Sequence, residues 1–265
     1  MVLPLLKRNV KQTLLPFAAI FALLCMYFGV IIYMYDPSVS EMLTSYQEIM
    51  PEMMAAVGMT GIADSLLEWI QIYLYGFLMI LLPLILIVIL VNRYVAQYLD
   101  SGSMAYLLSS PNSRAKLIVT QMITLYGVIF LLMAAVCVMG IGFSQVMFSG
   151  DLDIEKFLLL NGYDFLLQCA VGSICFAAAC LCRESKQYYA LGAGIPLVFF
   201  LFQMLGNMGG DLEVFRYMTL YSLLPAEQVL EGDSGALWYG AALFGITAVL
   251  SAAGVIGFQK RDLSL

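Results

Sequence analysis

The chain has 265 residues, of which 62% are hydrophobic and only 11% are charged, and its mean hydropathy is +0.92. Soluble globular chains carry roughly 45–50% apolar and about 25% charged residues, so this composition predicts an integral membrane protein and excludes a soluble enzyme. The net charge of −6 argues against nucleic acid as a partner, and the lack of histidine in the sequence excludes histidine-based triads and metal sites.

Six apolar segments are long enough to cross the roughly 30 Å hydrocarbon core of a bilayer as helices. Backbone groups in lipid must be satisfied within their own segment, so an all-α membrane protein is predicted. The first segment follows the basic stretch "LKRNVK" and is too long for a signal-peptide core, so we interpret it as a retained span. The predicted spans are residues 14–35, 70–91, 117–141, 165–182, 189–205 and 237–258.

The basic residues predict the orientation of these spans. If the N-terminus is cytoplasmic, ten of the twelve lysines and arginines fall on the inner side, and only Lys156 and Arg216 fall on the outer side. The positive-inside rule therefore predicts that both termini are cytoplasmic. The ten inner residues are Lys7, Arg8, Lys11, Arg93, Arg114, Lys116, Arg183, Lys186, Lys260 and Arg261.

Six cysteines lie in or beside the apolar runs. One residue separates the last two, whereas zinc and redox motifs have two residues at this position. We therefore expect the cysteines to be small packing residues without disulfides. They are Cys25, Cys137, Cys169, Cys175, Cys180 and Cys182.

The segments 36–69 and 206–236 are predicted to lie on the outer side and to contain short helices. In the first, five apolar residues follow helical spacing, which is typical of an amphipathic stretch at a membrane surface. This methionine-rich face either adapts to apolar ligands or packs on neighbouring spans. The second is expected to form short re-entrant or interfacial helices broken at Pro225. The five apolar residues are Met42, Tyr46, Ile49, Met53 and Met54.

The sequence lacks the Gly-x-x-x-x-Gly-Lys-[Ser/Thr] phosphate loop, so it cannot hydrolyse ATP by that route. It also lacks a series of acidic residues or histidines within the spans that would serve as a proton relay. Asp164, at the outer end of the predicted fourth span, is interpreted as an interfacial cap or, alternatively, as a coupling-ion site. We expect no catalytic, cofactor-binding or metal-binding residue. The other polar residues of the spans are Gln121, Gln168, Gln203 and Asn207.

The connection between the second and third spans, within residues 94–116, contains "YLDSGSMAYLLSSPNSRAK". Gly102 permits a tight turn, Ser103 can cap a short helix, and Pro111 cannot continue that helix. Ser113 can then cap the third span. An ordinary connector does not need a capped helix with exposed apolar side chains, so a partner docking site is expected. The apolar residues of this helix are Tyr106, Leu107 and Leu108.

This loop resembles the cytoplasmic loop of ATP-binding-cassette type-2 transporter permeases. Their pattern is roughly an acid, one residue, Gly-Thr, a short helix ending Leu-Leu-Ser, and then Pro-x-Ser-Arg. Ser103 stands where threonine is usual, and the tail "GFQKRDL" is similar to the closing Phe-x-basic-basic-Asp-Leu of the family. The resemblance extends over essentially the whole chain. The matching loop residues are Asp100, Gly102, Leu107, Leu108, Ser109, Pro111, Ser113 and Arg114.

The resemblance implies one transmembrane permease domain over residues 1–265, with an amphipathic interfacial segment at 1–13 and a cytoplasmic coupling loop at 94–116. Two permeases, identical or related, would pair in the membrane lipid, and each would engage a cytosolic ATPase that carries the ATP and Mg. The coupling residues would be Asp100, Gly102, Ser103, Tyr106, Leu107, Leu108, Ser109, Pro111, Ser113 and Arg114. Interfacial or ATPase contacts would come from Lys7, Arg8, Lys11, Lys260, Arg261 and Asp262.

The first functional hypothesis is therefore the permease subunit of an ATP-driven exporter in a bacterial plasma membrane. Its expected cargo is a hydrophobic drug, an antimicrobial peptide or a lipid-like molecule. A second hypothesis is an ion-coupled carrier or channel that works alone, although the spans hold few ionisable groups. A third is a membrane scaffold or sensor without transport.

Overall fold

The computed structural model of this chain describes residues 2–36, 39, 42, 49–59, 61, 63–100, 113–182, 184–233 and 235–260. Within these residues the backbone is helical apart from turns and short connections, and none of them lies in a β-strand. The prediction of an all-α protein is therefore confirmed.

Six helices are long and apolar enough to cross a membrane, as the hydropathy pattern predicted. Leu5 and Phe258 line the same small hollow, so the two ends of the described chain lie at one end of the bundle. We call this the terminal end and the opposite one the distal end. The spans are Leu3–Tyr33, Leu78–Ala96, Arg114–Met147, Ile154–Leu181, Ser185–Asn207 and Ala236–Lys260.

Two spans contain π-helical turns, a rare conformation that is frequent at functional sites. The second span is preceded by an α-helical turn at Leu66–Ile70 and a π-helix at Gln71–Tyr75. Its α-helix Leu78–Val91 runs into a second π-helix at Asn92–Ala96 and a last turn at Gln97–Asp100. The fifth span consists of Ser185–Tyr188, a π-helix at Tyr189–Ala193, and Gly194–Asn207.

The first span is longer than the hydropathy pattern predicted. Its 31 residues extend about 46 Å at a rise of about 1.5 Å per residue, well beyond a hydrocarbon core of roughly 30 Å. Residues 3–13, expected as a separate interfacial segment, continue directly into the apolar run as one helix. Leu5, Asn9 and Thr13 are buried on one face of this extension, so packing against the bundle stabilises it.

The fourth span begins earlier than predicted, and this changes the interpretation of Asp164. Asp153 caps the helix, because its Oδ1 accepts a hydrogen bond from Lys156 N at 3.2 Å. The helix starts at Ile154, so Asp164 lies about 15 Å inside it, given about 1.5 Å per residue. Its side chain is fully buried. The interpretation of Asp164 as an interfacial cap is wrong.

The segment 206–236 forms short helices, as expected. The 3₁₀-helices Gly210–Met218 and Leu220–Leu223 precede the α-helix Ala226–Glu231, which begins directly after Pro225. Lys156 Nζ donates to Leu230 O at 2.6 Å and ties this helix to the start of the fourth span.

The segment 36–69 is described only in part. It contains the short helix Pro51–Ala56, and Tyr46 of its predicted apolar face lies outside the described residues. Met42, Ile49 and Met53 expose more than half of their side-chain surface. These residues are therefore not packed against the neighbouring spans of the same chain.

The fourth span is the centre of the bundle and packs against the second, third, fifth and sixth spans. The sixth span approaches it closely at Gly254, where an added Cβ would lie 3.1 Å from Ala177 Cα and 3.3 Å from the Phe176 ring. Small residues permit such backbone contact between membrane helices. The first span packs mainly against the third.

Three prolines within the spans leave carbonyl groups without their usual helical donor, because proline has no N–H. For Pro16 this carbonyl is Gln12 O, which accepts from Arg93 Nη1 at 2.6 Å. For Pro83 it is Met79 O, which accepts from Gln168 Nε2 at 2.8 Å. In each case a side chain from another span supplies the missing donor.

The third case lies in the fifth span. Gly192 O, four residues before Pro196, accepts from Cys175 Sγ at 3.0 Å. Each proline therefore fixes the position of a neighbouring helix as well as the shape of its own.

We predict that Gly254→Leu destabilises the fold by about 1–3 kcal/mol, because the new side chain would overlap the fourth span. Thermal unfolding of the purified protein in detergent measures the effect. Gly245→Leu is the matched control in the same span, since its Cβ would meet no atom within 4 Å. Equal destabilisation by the two substitutions would contradict the packing described above.

Candidate functional site

The predicted coupling loop leaves the bundle at its terminal end, and the structure describes both of its roots. The helix Gln97–Asp100 precedes the loop, and Ser113 follows it. Ser113 caps the third span, since its Oγ accepts from Lys116 N at 3.3 Å, and this prediction is confirmed. Arg114 is exposed at the first turn of that span.

The short helix inside the loop stays a prediction, as do the contacts expected from the C-terminal tail. The positions concerned lie outside the described residues; they are Gly102, Ser103, Tyr106, Leu107, Leu108, Ser109, Pro111, Arg261 and Asp262. Of Asp100 the backbone alone is described. The basic residues predicted to contact the ATPase, Lys7, Arg8, Lys11 and Lys260, are all exposed at the terminal end.

The extended start of the first span touches both roots of the loop. The Arg8 guanidinium lies 5.2 Å from the centroid of the Tyr98 ring, in the helix Gln97–Asp100, where a cation–π attraction applies. Val2 N donates to Thr120 Oγ1 at 3.1 Å, and Thr120 in turn donates to Lys116 O at 2.7 Å. The start of the first span is therefore held to described residues on both sides of the predicted loop.

Beneath these contacts lies a group of polar side chains that we call the Asn9 cluster: Asn9, Thr13, Tyr94 and Gln121, which are buried, and Arg93, which is half-buried. Asn9 Nδ2 donates to Gln121 Oε1, and Thr13 shares a hydrogen bond with the Tyr94 hydroxyl. Arg93 bonds the backbone of the first span, as described above. Arg93 and Tyr94 belong to a π-helix, so an irregular turn of the second span holds the side chains that bond to the first span.

Sequence reasoning recognised Gln121 as a polar group within a span but missed its partners. Asn9 and Thr13 are four residues apart and so share one helix face, which was the available signal. It was hidden because residues 1–13 were treated as a surface segment.

A cavity of about 620 Å³ opens at the distal end of the bundle. It lies between the start of the second span, the end of the fifth span and the helices of segment 206–236, and its lining includes Tyr75, Gln203, Asn207 and Tyr221. The Tyr221 hydroxyl donates to Pro196 O at 3.4 Å. Burial raises the pKa of the Tyr221 phenol, so it stays a neutral donor at physiological pH.

Glycines shape one wall of this distal cavity. A Cβ on Gly58 would lie 2.9 Å from Gly76 Cα, and Gly58 has φ of +77°, which favours glycine. Gly76 directly follows the π-helix of the second span. The helix is interrupted at Phe77, whose φ and ψ of −136° and −58° are not helical.

A second buried polar group lies between the second and fourth spans, and we call it the Asp164 cluster: Tyr75, Asn161, Asp164 and Gln168. Gln168 Nε2 donates to Asp164 Oδ1 at 3.2 Å as well as to Met79 O. None of the four side chains exposes more than 5% of its surface. Sequence reasoning noted Asp164 and Gln168 separately, and only the fold shows that Tyr75 joins them.

The described part of the chain has no cluster of three or more Asp, Glu, Cys or His side chains that could hold a metal ion. Cys25, Cys137, Cys169 and Cys175 are free thiols. The Asp164 cluster differs from such sets because it offers one carboxylate with amide and phenol oxygens.

Comparison with protein families gives one match over nearly the whole chain. Residues 7–263 match the family described as "ABC-2 family transporter protein". No curated protein and no solved structure matches the chain.

We predict that Arg93→Met destabilises the protein by about 1–3 kcal/mol, because it removes the side-chain donor of Gln12 O, which has no helical donor at Pro16. Adding Pro16→Ala should remove most of this loss, since the alanine N–H can donate to Gln12 O within the helix. Thermal unfolding of the two single variants and the double variant gives the coupling energy directly. Strict additivity of the two substitutions would show that the proline and the arginine are independent.

Proposed function

Since the chain belongs to the ABC-2 family of transporter proteins, we propose that it is the permease subunit of an ATP-driven exporter. The observation that carries this proposal is the family match over residues 7–263, on a chain with six membrane-spanning helices. Permeases of this family are membrane transport subunits and are not themselves enzymes. They generally work with ABC ATPases.

The energy source in this proposal is a separate cytosolic ATPase subunit. The chain has no phosphate loop of its own, and the resemblance of residues 100–114 to a coupling loop offers a docking site for that partner. The terminal end would face the cytoplasm, as the ten inner basic residues predict. Lys7, Arg8, Lys11 and Lys260 would then be available to the ATPase or to lipid headgroups.

In this mechanism, closure of the ATPase dimer pushes on the loop between Asp100 and Ser113. The Arg8–Tyr98 contact and the Asn9 cluster pass the movement to the first, second and third spans. Since the buried hydrogen bonds of the cluster hold the spans together, the spans tilt as a unit. The cargo would leave along a path between this permease and a second one, identical or related.

The proposed cargo is a hydrophobic drug, an antimicrobial peptide or a lipid-like molecule. The distal cavity supports an amphipathic cargo, because tyrosines offer apolar rings with polar tips beside the amides of Gln203 and Asn207. In the proposed orientation this cavity opens to the outside of a bacterial plasma membrane and would serve as an exit vestibule.

We predict that an ABC ATPase copurifies with the tagged chain and that Leu108→Asp lowers its capture at least about tenfold, by placing a charge in an apolar contact. Asp100→Ala should reduce ATP-dependent transport in liposomes that contain both subunits. Val214→Asp is the control, since it introduces the same charge at an exposed apolar residue of the distal end and should leave capture unchanged. Isolation without an ATPase, together with undiminished transport by Leu108→Asp, would overturn the proposal.

A further inference from the structure

The Asp164 cluster contains an unusual set of buried oxygen atoms. Asn161, Asp164 and Gln168 are spaced at i, i+3 and i+7 on the fourth span, so they lie along one helix face. Tyr75, at the end of the π-helix that precedes the second span, lies beside the Asn161 side chain. Charged side chains inside membrane helices are rare and expensive to bury, so a buried aspartate there indicates a function.

The nitrogen atoms of both amides are already engaged. Asn161 Nδ2 donates to Phe157 O at 2.8 Å, and Gln168 Nε2 donates to Met79 O and to the aspartate. These bonds fix the amide orientations, because a flipped amide would place its oxygen against a carbonyl oxygen. The oxygen atoms are thereby left for another ligand.

Three oxygen atoms of the cluster have no hydrogen-bond partner within the described residues, and the Tyr75 hydroxyl lies against the Asn161 side chain. The three are Asn161 Oδ1, Asp164 Oδ2 and Gln168 Oε1. Neither oxygen of Asp164 is paired with a cationic side chain in this part of the chain. A buried carboxylate without a positive partner is strongly disfavoured, and coordination of a cation relieves this.

We propose that the Asp164 cluster binds one alkali-metal cation, such as sodium. Hard cations take carboxylate, amide carbonyl and hydroxyl oxygens as ligands, which is the set offered here. One carboxylate balances one positive charge, whereas a divalent ion would bring a second charge with no counterpart. A proton on Asp164 is the competing occupant, since the protonated carboxyl and the Tyr75 hydroxyl would together supply two donors for the amide oxygens, and the acid arm of the test below separates it from a cation.

The distal cavity borders the cluster at Tyr75, and in this proposal the cation enters from that side. Tyr75 and Tyr221 both line this cavity, and Tyr75 belongs to the cluster itself. The surrounding surface is acidic and attracts cations, since Arg216 is the only basic residue described between 206 and 236. The exposed acidic residues there include Glu213, Glu227, Glu231 and Asp233.

Cation binding would join the interrupted start of the second span to the central fourth span. Tyr75 ends the π-helix at this interruption, whereas the other three ligands belong to the continuous helix of the fourth span. The bound ion would therefore stabilise the wall of the distal cavity. This role is separate from ATP-driven movement and can be tested on the permease alone.

The test is thermal unfolding of the full-length permease in sodium, potassium or choline chloride at constant ionic strength and pH. We expect sodium or potassium to raise the unfolding midpoint by a few degrees over choline, with a saturable dose dependence. Asp164→Asn should abolish the difference between the salts. Asp211→Asn, the same change at an exposed distal aspartate, should retain it.

Tyr75→Phe provides a second variant that removes a single ligand atom and keeps the ring. It should raise the half-saturating cation concentration roughly three- to tenfold. If Asp164→Asn fails to fold, this measurement tests the proposal in its place. Identical midpoints of the native chain in all three salts would overturn the proposal. So would an undiminished sodium effect in Asp164→Asn or an unchanged half-saturating concentration in Tyr75→Phe. In a separate series in choline chloride, stabilisation on lowering the pH that equals the sodium effect would indicate a proton and overturn the proposal.

Discussion

A proline within a helix leaves the carbonyl group four residues earlier without a hydrogen-bond donor, and inside a bilayer water cannot replace it. This constraint determines how several helices of this protein are joined. Each unsatisfied group in hydrocarbon costs several kcal/mol, so a neighbouring side chain must supply a donor. Arg93 does so for Gln12 O, Gln168 for Met79 O, and Cys175 for Gly192 O. The first span is thereby tied to the second, the second to the fourth, and the fifth to the fourth. Packing of apolar surfaces alone would not select these partners, because lipid tails are as apolar as the helices.

Both polar clusters are built around one of these donors. Arg93 belongs to the Asn9 cluster beneath the predicted coupling loop, and Gln168 belongs to the Asp164 cluster beneath the distal cavity. The free-energy cost of burying these polar residues is offset by hydrogen bonds. Arg93 and Gln168 each donate to a carbonyl that lacks a helical donor and also belong to a polar cluster. The two clusters thus satisfy unpaired backbone carbonyls and also carry the functions that we propose. These functions are movement at the terminal end of the bundle and ion binding at the distal end.

The fourth span connects the two ends because it lies at the centre of the bundle. It supplies donors to the second and fifth spans and receives the sixth span at Gly254. The second and fifth spans contain the π-helical turns, whereas the third and fourth are continuous α-helices of 34 and 28 residues. A rigid centre with irregular neighbours is suited to a permease, in which some helices must move against others.

The sequence by itself determined those features that depend on local chemistry. The six apolar runs correspond to six membrane-length helices because a helix in lipid satisfies its own backbone. Ser113 caps the third span and Pro225 separates short helices, since both effects involve only a few neighbouring residues. Only the tertiary structure decided the depth of Asp164 and the partners of Asn9. Polar residues around the true start of the fourth span lowered its local hydropathy, so its beginning was placed too late. The hydrogen-bond partners of both residues lie on helices distant in sequence, and no local pattern specifies which helices become neighbours.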